Sequence, residues 1–67
     1  MAQYERLMDK IRQSGMTVTA IAKKSDMTRV TLYNRLAGIG EFKASEIAGL
    51  TKTLAMTREE RDEIFFS

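Results

Sequence analysis

The stretch from Thr17 to Gly38 constrains the fold most, because it holds two helix starts and a corner within 22 residues. Threonine is a favourable N-cap, since its hydroxyl accepts one of the backbone N–H groups left over at a helix start. Thr17 opens a segment that carries Ile21 and Ala22 inward, and Thr28 opens a second that carries Leu32 and Leu36 inward at four-residue spacing. Between them lies Ser25-Asp26-Met27. Serine and aspartate favour turns by bonding nearby backbone, and Met27 supplies an apolar plug beneath the corner. The economical reading is a helix-turn-helix whose second helix turns Arg29, Val30, Tyr33 and Asn34 outward, a set suited to base edges and phosphates.

The rest of the chain reads as support, in three further helices. Tyr4, Leu7, Met8 and Ile11 recur at spacings of three and four within Ala2 to Ser14, an amphipathic helix that Gly15 ends and onto which Met16 folds back. Glu5 and Asp9, like Arg6 and Lys10, are same-sign pairs four apart, so the outer face of this helix is expected to gain little from ion pairing. After Gly38, the loop Ile39-Gly40-Glu41-Phe42 is expected to fold Ile39 and Phe42 over the core. A fourth helix from about Ala44 to Leu54 presents Ile47, Leu50, Thr51 and Leu54 on one face. Thr57-Arg-Glu-Glu60 is a capping box opening a fifth helix, with Glu59 and Glu60 in its positive first turn. Proline, linkers and internal repeats are absent from the sequence, so residues 1–67 are expected to form one all-α, five-helix domain.

Composition narrows the function. A chain of 67 residues buries only roughly 60% of its unfolded surface and has little volume left for a substrate cavity. There is no cysteine and no histidine, which removes thiolate and imidazole metal ligands and the commonest general base. Glu59 and Glu60 are explained by the helix dipole, so no enzyme, cofactor, metal or small-molecule substrate is expected. No apolar run reaches membrane-spanning length, and the start Met-Ala-Gln-Tyr-Glu-Arg is charged, so a cytoplasmic protein is expected.

The net charge of +2 is unevenly spread. Residues 1–40 hold seven basic and three acidic side chains, whereas residues 41–67 hold four basic and six acidic ones. The half containing the helix-turn-helix is therefore the half suited to a polyanion.

Ile21-Ala22 and the run Thr28 to Gly38, followed by Gly40-Glu-Phe42 and Ser45-Glu-Ile47, resemble the Cro and lambda-type repressor family, especially its small phage and mobile-element regulators. The similarity extends to the closing Ile64-Phe65-Phe66 and is most specific at Thr31-Leu-Tyr-Asn34. It implies a compact lambda-repressor-like fold, sequence-specific binding to double-stranded operator DNA, two molecules per palindromic site, and control of transcription. Base-reading positions fall on Thr28, Arg29, Val30, Tyr33 and Asn34. Arg29 suits guanine O6 and N7, Val30 a thymine methyl and Asn34 an adenine. Tyr33 suits either a phosphate or the rim of the core. Thr17 and Thr19, at a helix N-terminus, together with Arg35 and Lys43, are the expected phosphate contacts.

Two positions depart from the family pattern. Ser25 and Asp26 replace an apolar residue followed by glycine, which predicts a less tightly packed corner. Lys43 replaces a threonine or serine cap, exchanging about 1 kcal/mol of helix stability for a phosphate partner. Phe66 cannot face inward together with Phe65, since helix neighbours lie about 100° apart, and so is expected to touch a second copy or a partner repressor. Operator binding is thus one function compatible with the sequence. The other is that of an antirepressor, which grips a partner repressor protein.

Overall fold

A computed structural model describes residues 4–66. Five helices follow in chain order: α1 (Glu5–Ser14), α2 (Val18–Lys24), α3 (Arg29–Leu36), α4 (Ala44–Thr53) and α5 (Arg58–Phe65). No strand occurs among the described residues, so the chain is all-α as its periodicity predicts. The expected start of the first helix at Ala2 lies outside the described residues, and Tyr4 occupies its N-cap position.

The helix boundaries follow from caps. Thr17, Thr28 and Thr57 each accept a backbone N–H three residues on, and Glu60 reciprocates by accepting the N–H of Thr57 at 2.9 Å. At the other ends, α2, α3 and α4 share one device. The N–H groups of Met27, Ile39 and Met56 reach back to the carbonyls of Ala22, Asn34 and Thr51, and the residue before each of them sits in the left-handed region. Gly38 fills that position at φ 86°, but Asp26 (φ 59°) and Ala55 (φ 52°) occupy it without the freedom of glycine.

Each of the first four helices gives one large, fully buried aliphatic residue: Leu7, Ile21, Leu32 and Leu50. Ile11, Ala22 and Met56 complete the cluster, and Met16, Met27 and Leu36 pack on it as their spacing predicts. α5 buries nothing completely. It is held by Ile64, by a ring cluster in which Phe42 lies 5.1 Å from Tyr4 and 5.2 Å from Phe65, and by the pairs Arg6–Glu63 and Lys10–Glu60. These pairs correct one expectation: the outer face of α1 does ion-pair, with α5 through Arg6 and Lys10 and along itself through Arg12 and Asp9. Among the described residues, no helix is long and apolar enough to cross a membrane.

Two further expectations are corrected. Ile39 does not cover the core but is 61% exposed, because Gly38 reverses the chain on the end of α3 while Arg35 holds the Ile39 carbonyl at 3.3 Å. Phe42 alone folds back. The corner at Ser25-Asp26 is tight rather than loose. Ser25 is buried with its hydroxyl on Thr53 Oγ1 at 3.1 Å, and a methyl on Gly49 would come within 2.9 Å of the Ser25 carbonyl.

Candidate nucleic-acid interface

Helix α3 is anchored on one side by Leu32 and Leu36, which leaves the rows containing 29, 30, 33 and 34 on its outer side. Arg29, Val30 and Tyr33 are exposed and Asn34 is half-buried, its side-chain amide making no hydrogen bond among the described residues. Arg29 is the first residue of the helix, where the dipole disfavours a cation, and no acidic residue shares that first turn. Val30, 63% exposed, likewise adds nothing to the core.

Thr28, expected as a base reader, serves as the N-cap of α3. Its Oγ1 accepts the Thr31 N–H at 3.1 Å and donates to Thr31 Oγ1 at 2.9 Å, so its proton is spent within the helix start. Thr17 uses only a lone pair, on the Ala20 N–H, and keeps its proton for a donor role. Thr19 is exposed one residue into α2.

The two expected phosphate cations are also unalike. Lys43 is exposed, makes no ion pair among the described residues, and caps α4 without any side-chain bond, as an ammonium must. Arg35, expected as a phosphate contact, is half-buried and engaged within the fold. Its Nε lies 3.4 Å from Glu46 Oε1, with side chains only 18% and 12% exposed, and its Nη1 donates to the Ile39 carbonyl. Glu46 also accepts the Lys43 N–H at 2.9 Å. Arg35 thus ties α3, the loop after it and the start of α4 together, and a methyl on Gly40 would lie 2.6 Å from its Nη1. This latch escaped the sequence analysis, although Gly40 ahead of a missing cap was its visible trace.

Pairing within the molecule sorts the positive charge. Of the seven basic residues in the first forty, Arg6, Lys10, Arg12 and Arg35 are matched to Glu63, Glu60, Asp9 and Glu46. Lys23, Lys24 and Arg29 have no ion pair among the described residues, and all three lie on α2 or α3. Glu60, bonded by the Lys10 ammonium and by the Thr57 N–H, is held below the usual glutamate range. The acidic α5 therefore quenches α1 and leaves α2 and α3 positive. No known protein family, characterised protein or solved structure matches the chain.

Proposed function

We propose that the chain is a sequence-specific DNA-binding regulator of transcription, of the Cro or lambda-repressor type found in phages and mobile elements, acting in the cytoplasm. The observation that carries this reading is that Lys23, Lys24 and Arg29, three of the six cations without an ion pair among the described residues, lie on α2 and α3, with Arg29 at an electrostatically disfavoured helix start. In this reading α2, the corner and α3 form the helix-turn-helix, and α3 enters the major groove of operator DNA.

Arg29 pairs with guanine, Val30 meets a thymine methyl, Asn34 reaches adenine, and the Tyr33 hydroxyl bonds a phosphate. Lys43 and the start of α2 at Thr17 and Thr19 hold the backbone. Phe66, 62% exposed under the Arg61 guanidinium, touches the second copy on a palindromic site.

Selection from a pool of random duplexes tests the reading. Wild-type protein is expected to enrich one short motif containing guanine, and Arg29→Ala to lose the preference at that position. A wild type that enriches no sequence overturns the reading.

A further inference from the structure

An open groove runs between the middle of α1, the start of α2 and the C-terminal end of α3. Met8, Ile11, Val18, Tyr33, Leu36 and Ala37 line it, and its exposed surface is almost wholly apolar. With a volume of about 440 Å³ it has room for several side chains of one helix face. Met8 and Tyr33 stand 36% and 52% exposed at its mouth. Double-stranded DNA is a poor occupant, because its charged phosphates would lose hydration against an apolar trough without gaining partners there.

The charges beside the groove indicate what does fit. Arg12 lies along the α1 side, and its pair with Asp9 is exposed on both partners, so a competing carboxylate can take it over. On the α3 side Arg29 precedes Tyr33 by one helical turn and has no ion pair among the described residues. An arginine in the wall of the apolar trough, the one charged side chain lining it, and a second arginine one helical turn before Tyr33 complement an amphipathic helix that carries aliphatic residues on one face and carboxylates beside it, which guanidinium groups grip in bidentate fashion.

We infer that this groove is the docking site for an acidic amphipathic helix of a partner protein. Arg29 and Tyr33 belong both to this site and to the proposed DNA surface. Resting on the operator-binding reading, the inference adds that such a helix excludes DNA, which makes the groove a point of control over the regulator.

The test titrates the isotope-labelled full chain, followed by NMR, with a four-turn synthetic helix of leucines flanked by glutamates. Two control helices replace the glutamates by lysine or the leucines by serine. Saturable shifts at Met8, Val18, Tyr33 and Ala37 are expected with the acidic helix only. Met8→Glu and Ala37→Glu should weaken it about tenfold while both variants still bind the selected duplex, since like charges across an interface are strongly disfavoured. Adding that duplex to wild type should displace the helix.

Absence of those shifts, equal binding of the lysine helix, or binding indifferent to both substitutions overturns the groove; retained duplex binding then shows that operator recognition stands without it. Simultaneous binding of helix and duplex removes the exclusion. Helix binding by a chain that ignores all duplexes keeps the groove and removes operator recognition instead.

Discussion

Arg35 and Lys43 were both legible as cations on or near α3, yet their surroundings give them opposite fates. Arg35 spends its guanidinium on Glu46 and the Ile39 carbonyl, whereas Lys43 has no such partner. Arg35→Ala should therefore lower stability by roughly 1–3 kcal/mol, the range for orphaning a buried charged partner, and leave the salt dependence of DNA binding unchanged. Lys43→Ala should do the reverse, lowering the salt slope by about one with little change in melting temperature. Thermal melts and salt titrations of the two variants separate these outcomes, and a reduced slope in Arg35→Ala would restore that residue to the interface. Ala55 offers a second test. A left-handed alanine is strained by about 1 kcal/mol, so Ala55→Gly should raise the melting temperature by roughly 4–8 °C, and a fall would show that the turn after α4 depends on more than its φ.

At the scale of elements, α5 depends most on pH. It has no fully buried residue, and Lys10–Glu60 joins it to α1 through a carboxylate whose pKa is lowered first by the Lys10 bond and then by the Thr57 N–H. A carboxyl group with a depressed folded pKa contributes stability above its unfolded value of about 4.3, and that contribution disappears as the pH falls through the folded pKa. Wild type should thus melt above Glu60→Gln at neutral pH, with the gap closing below about pH 4. A gap independent of pH would mean that the glutamine disturbs packing or the cap instead.

The same helix shows what a sequence discloses. Its start at Thr57-Arg-Glu-Glu60 was readable because a capping box is a contact three residues long. Its partners Arg6 and Lys10 were not, because nothing in a helical period says which two outer faces will meet. For the same reason Leu7, Ile21, Leu32 and Leu50 were legible as core, while Ile39 was misjudged: apolarity sets a tendency to be buried, and the left-handed turn at Gly38 decided otherwise. In the candidate interface, the outward row Arg29, Val30, Tyr33 and Asn34 followed from period alone. The spent proton of Thr28 depended on a side-chain rotamer.

The whole molecule measures about 25 × 24 × 22 Å, so α3 can read only a handful of bases unless two copies act together. If Phe66 joins them, sedimentation should show two protomers on a palindromic duplex and one with Phe66→Ser at the same concentration. Two Phe66→Ser protomers on the duplex would move the contact elsewhere. The DNA-binding proposal rests on positive charge that is quenched on α1 by α5 and kept on α2 and α3. It is tested most directly by measuring the affinity of wild type and Arg29→Ala for the selected duplex, and for a scrambled one, across a range of salt concentrations. Wild type should bind the selected duplex more tightly, with log affinity falling linearly as log salt rises, and Arg29→Ala should erase most of the difference between the two duplexes. Equal wild-type affinity for both, or binding insensitive to salt, would contradict it.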